Sequence, residues 1–241
     1  MKQTTLLKHR NIWKNKKILQ SIYNDWYQKI STYILPGKTV ELGSGSGNYK
    51  EYNKKVITSD IDPHPWLDMH FDAHTMPFKK NTLSNIVMID VLHHLNNPVS
   101  FLNEAFRVLK KHGRIILIEP YPSLFSTITY KLFHPEPFIF SIDYYSPVFK
   151  KQMKTPWQSN QAIPYLLFFK HRNMFEKTFN HKFTIIKLEK FSFLLYPLSG
   201  GFEHKQLIPD FTIPFFKLCE ILLTPLKMAL AFRCFIIVEK Q

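Results

Sequence analysis

The sequence predicts a doubly wound α/β sheet of seven strands with helices on both faces, an aromatic cap after strand five and a helical insertion before the last strand. Three observations carry this expectation. Short apolar runs alternate with helical patterns between residues 38 and 120, the rhythm that a parallel sheet with crossover helices requires. A glycine-rich turn follows the first run. Acidic residues then close successive runs, where such sheets place their ligands. At 241 residues the chain fits one domain with an elaboration. Its expected parts are an N-terminal helical segment (1–35), the glycine-turn half (36–120), the cap (121–160) and a C-terminal half (161–241) with its insertion at 207–231.

Taken in order, residues 1–11 are polar and basic and read as a mobile arm. Ile18, Ile22, Trp26, Ile30 and Ile34 recur every fourth position, which predicts helix within 12–34, ended by Pro36-Gly37. Thr39–Leu42 is strand one. Asn48–Lys54 is a brief helix and Val56–Asp60 strand two. The continuous apolar run over Asn85–Asp90 predicts a strand buried on both faces. Val99–Lys111 is amphipathic, with Leu102, Ala105, Phe106 and Leu109 on one face, opened by Pro98. His112-Gly113 closes it, and Arg114–Glu119 is strand five. From Pro120 to Asn160 repeated prolines interrupt an aromatic-rich stretch, too aromatic for disorder and read as a cap over a substrate site. Its polar candidates are His134, Glu136, Asp143, Tyr144 and Tyr145. Residues 161–179 read as helix, His181–Phe191 as strand six, Tyr196–Gly201 as a turn and Phe232–Glu239 as a last, antiparallel strand. In Ile213–Leu230, Lys217, Glu220, Thr224 and Lys227 form a narrow polar stripe on an otherwise apolar helix that Pro225 should break. So apolar a helix must be covered, either by the cap or by a membrane interface.

A formal charge of +14 is compatible with nucleic acid, an anionic membrane, an acidic substrate or a solvated lysine-rich surface. Cys219 and Cys234 have no C-x-x-C spacing, so neither a disulfide framework nor a zinc site is expected. The first residues lack the apolar core of a secretory signal, and no apolar run reaches the length of a membrane span. The expected location is cytoplasmic, peripheral at the inner face of a membrane.

The turn itself is Val40-Glu41-Leu42-Gly43-Ser44-Gly45-Ser46-Gly47-Asn48. Glycine lets a ligand approach the main chain closely. The acid at Glu41 would repel a pyrophosphate but suits a cationic or hydroxyl-rich ligand. The pattern E-x-G-x-G-x-G resembles the first motif of class I S-adenosylmethionine-dependent methyltransferases, of the type 11 kind. Further matches are Asp60 at the end of strand two, Phe71-Asp72-Ala73-His74-Thr75-Met76-Pro77-Phe78, and Leu92-His93-His94 after strand four. The resemblance covers residues 20–120 well and the last strand loosely. It implies a Rossmann-like fold, S-adenosylmethionine as cofactor, S-adenosylhomocysteine as product, and no metal. It also implies a cofactor site of Glu41, Gly43, Ser44, Gly45, Gly47, Asp60, Ile61, Asp72, Ala73 and Asp90. Asp60 would accept the ribose hydroxyls with its two oxygens, Ile61 would lie against the adenine, and Asp72-Ala73 would hold the adenine amino group. Leu83-Ser84 stands where many relatives have Phe-Asp, and His112 where proline is usual.

Methyl transfer from a sulfonium needs alignment, exclusion of water and, for a hydroxyl acceptor, a base. His93 and His94 are the candidates for that base. The aromatic cap and the apolar helix favour a small, apolar or lipid-linked acceptor and peripheral contact with an anionic membrane. RNA is the competing acceptor, resting on the charge alone. A catalytically inactive partner protein that keeps the cofactor is the third reading.

Overall fold

The computed structural model describes residues 2–133, 136–146 and 159–241. Seven strands form one sheet: β1 (Thr39–Leu42), β2 (Ile57–Asp60), β3 (Met69–His70), β4 (Leu83–Ile89), β5 (Leu109–Pro120), β6 (Phe183–Phe191) and β7 (Arg233–Lys240). Their spatial order is β3-β2-β1-β4-β5-β7-β6. The first five pair in parallel, whereas β7 lies antiparallel between β5 and β6. The order reverses beside β1, so the carboxyl ends of β1 and β4 border a crevice where ligands of such sheets sit.

The central strands carry continuous apolar runs, Ile86–Ile89, Ile115–Ile118 and Phe235–Val238, because both faces are covered. Alternate residues go to opposite sides. Ile86, Met88, Ile115, Leu117, Ile236 and Val238 join one core, and Val87, Ile116, Ile118, Phe235 and Ile237 the other. The second core is roofed by two helices, α1 (Lys2–Asn15) and α2 (Lys17–Ser31). On α2 the four-residue repeat holds, with Ile18, Ile22, Trp26 and Ile30 buried. The expected mobile arm is instead α1. Leu6 and Trp13 are buried, and Arg10 donates to the carbonyl of Ser46 in the glycine turn. Tertiary contacts that local composition does not display hold it down.

A short helix, α3 (Asn48–Tyr52), follows the turn. On the first core, α4 (Pro98–Val108) buries Phe101, Leu102, Ala105 and Val108. It stops three residues before the expected end. Leu109 already pairs with Leu83, and Lys110–Gly113 bulge out before Arg114 pairs with Asn85. His112 takes a left-handed φ of 61° in that bulge.

The start of the cap carries a helix, α5 (Leu124–Phe133), where an irregular connection was expected. The Ser126 hydroxyl bonds the Tyr121 carbonyl and opens the helix as soon as Pro122 is passed. Pro147, Phe149 and Pro156 of the same stretch lie outside the described residues, as does His134. The next segment is helical as expected: α6 (Ile163–Tyr165), a π-helical turn over Leu166–Lys170, and α7 (Arg172–Thr178). The expected turn at Tyr196–Gly201 is a single helical turn, α8 (Leu195–Ser199), ended by Gly200 at φ 66°. The insertion breaks at Thr224-Pro225 into α9 (Ile213–Leu222) and α10 (Lys227–Leu230). Neither helix is covered as so apolar a sequence demands. Phe215, Leu218, Ile221, Leu222 and Met228 are 55–70% exposed. Among the described residues no helix is long and apolar enough to cross a membrane.

Candidate active site

The parallel strands end in a cavity of about 350 Å³, within the ~300–1,000 Å³ range of small-molecule sites. Its walls are the glycine turn, the ends of β2 and β4, and the segment after β3. Leu6 and His9 of α1, Tyr23 and Tyr27 of α2, Tyr196 of α8 and Phe202 close the opposite side. Glu41, Gly43, Ser44, Gly45, Asp60, Ile61, Asp72, Ala73, Asp90 and His94 all line it. Gly47 and His93 do not. Gly47 stands at the start of α3 with φ 76°, next to Trp66 and Arg10.

The turn needs glycine at its first position. Gly43 has φ 64°, and a Cβ there would come within 2.4 Å of a Val91 methyl. Asp60 ties the turn to β2: one carboxylate oxygen accepts the Gly45 N–H at 2.9 Å, the other the Ile61 N–H at 2.8 Å. Asp72 accepts the His74 N–H at 2.8 Å and stands 2.6 Å from its ring Nδ1.

Two acids, buried Glu41 and half-buried Asp90, each carry a buried oxygen without a partner. Glu41 Oε2 has no hydrogen-bond partner. Burial pushes its carboxyl up to about 7, and the charge of Asp60 acts in the same direction. Asp90 sits at φ 57° and takes a 3.3 Å contact from Arg233 Nη2 on one oxygen. Its other oxygen is buried without a partner. Burial raises the Asp90 carboxyl, and Arg233 opposes the rise. Arg233 is itself buried. It donates to the Tyr130 hydroxyl at 2.7 Å and lies 4.0 Å from the Tyr196 ring centre. Unpaired buried acceptors at the ends of β1 and β4, beside a glycine turn, fit a ligand that carries an ammonium group and hydroxyls.

Beyond β4 a single 3₁₀ turn, Leu92–His94, presents the two histidines. Glu119, at the end of β5, organises it from beneath. Its Oε1 accepts the Val91 and Leu92 N–H groups at 2.9 and 2.7 Å, and its Oε2 lies 2.7 Å from His93 Nδ1. Burial raises the Glu119 carboxyl to about 7 against those N–H bonds. Burial, then the neighbouring His93, lowers His94 to about 4, so its imidazole is neutral at physiological pH.

The cap reaches this turn through Asn160. Its N–H donates to the His93 carbonyl at 3.0 Å, while its amide bonds the main chain of Ile139 and the Tyr144 hydroxyl. Glu136 is thereby brought 3.8 Å from His93 Nε2 and 3.9 Å from His94 Nε2. These three side chains offer ligand atoms within 4.8 Å of one another. Asp143, Tyr144 and Tyr145 are not on the cavity wall. Tyr145 instead donates to the Leu167 carbonyl at 3.2 Å.

Sequence reading missed Glu119, Asn160, Gln161 and Arg233. The available signal was a charged residue at the edge of an apolar run, Glu119 near the end of β5 and Arg233 at the start of β7. Which partner each would find lay in distant segments.

Residues 40–117 match the family model described as a methyltransferase domain. An uncharacterized protein of Methanocaldococcus jannaschii is 27% identical over 104 residues, which is 40% of this chain and 51% of that protein. The chain thus spans about half the length of this curated relative. Among solved structures, an S-adenosylmethionine-dependent methyltransferase of Archaeoglobus fulgidus matches with a TM-score of 0.54 at 15% identity, covering 92% of this chain and 94% of that one. One from Thermotoga maritima, described as a possible histamine N-methyltransferase, matches with a TM-score of 0.52 at 14% identity, over 98% and 99%. These two likenesses show the fold.

Proposed function

We propose that the chain acts as a class I S-adenosylmethionine-dependent methyltransferase, a reading supported by the family match over residues 40–117, and that it moves a methyl group to a small, apolar acceptor held at or linked to a lipid surface. The observation that carries the acceptor is the uncovered apolar face of α5, α9 and α10. Helix α10 packs on α5. Leu124, Phe125, Ile128, Leu132 and Phe133 of α5 are 47–72% exposed, alongside the exposed apolar residues of α9 and α10. Lys131, Lys205 and Lys227 are exposed among them. Apolar burial and basic residues together suit an anionic interface. The face adjoins the cavity, because α9 packs on α8 and α8 contributes Tyr196 to the cavity wall.

Bound S-adenosylmethionine supplies an electrophilic methyl on a sulfonium. Around it, Glu41 and Asp90 offer buried carboxylate oxygens to the ammonium, and Asp60 turns toward the ribose hydroxyls. Ile61, half exposed on the cavity wall, packs on the adenine, whose amino group Asp72 and Ala73 hold. The glycine turn lets the ligand reach the main chain. Of the two histidines, His94 presents a neutral imidazole to the acceptor end, and His93 positions it from behind.

The test has two arms. Purified protein should sediment with phosphatidylserine-containing vesicles and transfer label from methyl-labelled S-adenosylmethionine into a lipid extract. Replacing Phe215, Leu218 and Ile221 together by serine should weaken vesicle binding more than about tenfold, since each such side chain removed from water contributes about 1.5–3 kcal/mol. No sedimentation and no lipid labelling would end this reading of the acceptor. A salt-sensitive affinity for RNA would then take its place.

A further inference from the structure

We propose that Arg233 is a positioning residue of the cofactor site: from the first position of β7 it holds the Asp90 carboxylate ionised and fixed at the cavity wall, ready for the cofactor's ammonium. This role depends on the ammonium contact proposed above for Asp90. Arg233 itself stands behind the cavity wall rather than on it, so it acts on the ligand through Asp90.

Strand β7 runs antiparallel between β5 and β6, so its first residue lies opposite Pro120 and Phe191, at the carboxyl ends of both neighbours. Alternation sends Arg233 to the same side as Phe235 and Ile237, into the core roofed by α2. There it is 3% exposed. Four groups fix the guanidinium. Nη1 donates to the Tyr130 hydroxyl of α5 at 2.7 Å, and Nη2 to Asp90 Oδ2 at 3.3 Å. The Tyr196 ring centre lies 4.0 Å from its central carbon and the Trp26 ring centre 5.9 Å. Aromatic faces attract a cation most when it is removed from water. So held, the guanidinium cannot swing out to solvent, and Asp90 meets a fixed positive charge.

Stability alone gives little reason for this cation. Arg233 Nε is buried without a partner, and a buried ion pair often contributes less than well-packed apolar side chains of the same volume. What the cation changes is Asp90. The Asp90 backbone, at φ 57°, is pinned by its N–H to the Ile118 carbonyl at 2.9 Å, so the carboxylate's place beyond β4 is set. Burial pushes its carboxyl up. Arg233 opposes the rise most strongly, His93 and His94 less, and Glu119 adds to it. Tyr23 of α2, Tyr130 of α5, Tyr196 of α8 and Cys234 of β7 also face Asp90. Burial raises all four above their ordinary values, so none is charged near neutral pH. Histidines lose their charge within the working range, whereas arginine keeps its own. Among the described residues Arg233 is therefore the one permanent cation facing Asp90.

A guanidinium beside a carboxyl raises its acidity constant about 10–1,000-fold. Without it, burial and Glu119 are opposed only by the histidines, and Asp90 keeps its proton to a higher pH. A protonated Asp90 offers the ammonium a neutral acceptor in place of a charged one, and that contact is weaker. A variant lacking the cation should therefore lose cofactor affinity as pH is lowered, and begin to lose it at a higher pH than the parent. Glu41 titrates at about 7 in both proteins and cancels in their ratio.

Calorimetric titration with S-adenosylhomocysteine from pH 6 to 9 compares the full-length parent with Arg233→Met, Arg233→Lys and Asp90→Asn. The ratio of the Arg233→Met dissociation constant to that of the parent should rise by about tenfold or more as pH falls across that range. Arg233→Lys keeps the charge but not the planar fork, so its ratio should stay level with pH at a uniform loss of a few-fold. Asp90→Asn should weaken binding about tenfold or more. Thermal unfolding shows which variants fold. A further measurement needs no Arg233 variant: the carboxyl ¹³C resonance of Asp90 in the ligand-free parent, assigned by its loss in Asp90→Asn, should be that of an ionised group at pH 7. A protonated Asp90 there would overturn the proposal. So would an Arg233→Met ratio level with pH, the result of a merely structural role; with Asp90→Asn weakened, it would leave the ammonium contact standing. Asp90→Asn binding as tightly as the parent would overturn that contact as well.

Discussion

Replacing Glu41 by glutamine should stabilise the ligand-free protein and weaken its cofactor affinity at once. The side chain is buried and one of its oxygens has no partner. Its carboxyl is raised from the ordinary 4.5 to about 7, mainly by burial. Between those values the folded protein keeps a proton that the unfolded chain has released, so stability is full below about pH 4.5 and falls as pH rises through the window. The span corresponds to about 3 kcal/mol lost above pH 7. An uncharged isostere does not ionise, so the variant should match the parent near pH 4.5 and exceed it by about that amount at pH 8. For a domain of this size the gain is roughly 6–12 °C in Tm. Glu119 titrates over the same range but is present in both proteins and cancels in the difference. The affinity moves the other way. Loss of a charged acceptor for the ligand's ammonium, worth about 1.5–3 kcal/mol, should weaken S-adenosylmethionine about 10–150-fold. Thermal unfolding of both proteins from pH 4.5 to 9, followed by calorimetric titration, measures both effects. Parallel Tm-against-pH curves would refute the burial argument, and unchanged affinity would refute the assignment of Glu41 to the ammonium.

Other outcomes follow from the same geometry. Asp60→Ala removes the acceptor proposed for the ribose and releases the Gly45 and Ile61 N–H groups. Calorimetry should show S-adenosylhomocysteine weakened about 10–100-fold, and equal affinity would count against Asp60. Gly43→Ala meets Val91 at 2.4 Å with φ at 64°, so denaturant titration should show a loss above about 2 kcal/mol. Gly45→Ala, whose nearest obstacle is Leu6 at 3.7 Å, should lose only the left-handed backbone penalty of about 1 kcal/mol. Similar losses at the two glycines would mean that the Val91 contact relaxes. Glu220 Oε1 accepts three N–H groups, from Phe193, Leu194 and Leu195, at 3.0, 2.8 and 2.8 Å. Glu220→Ala strands them and should cost about 2–3 kcal/mol, with hydrogen exchange fastest at the start of α8. An unchanged exchange pattern would show that water satisfies those groups.

Much of this molecule was legible in the amino-acid order because its signals are local. The β-branched runs, the four-residue repeat of α2, the proline that opens α4 and the glycines of the turn each act within a few residues, so composition reveals them. The acids Glu41, Asp60, Asp72 and Asp90 were also legible, since a parallel sheet brings the ends of β1, β2 and β4 to one rim whatever the loops do. The fold alone decided the rest. It turned a polar N-terminus into α1 by setting Leu6 and Trp13 against the glycine turn and the second core. It placed β7 antiparallel beside β5, so that Arg233 reaches Asp90 across 143 residues of chain. It laid Glu136 against His93 and His94 through the amide of Asn160. These are contacts between distant segments. Their free energy comes from burial and from pairing charges away from water, which depend on where the chain returns rather than on which residues are neighbours along it.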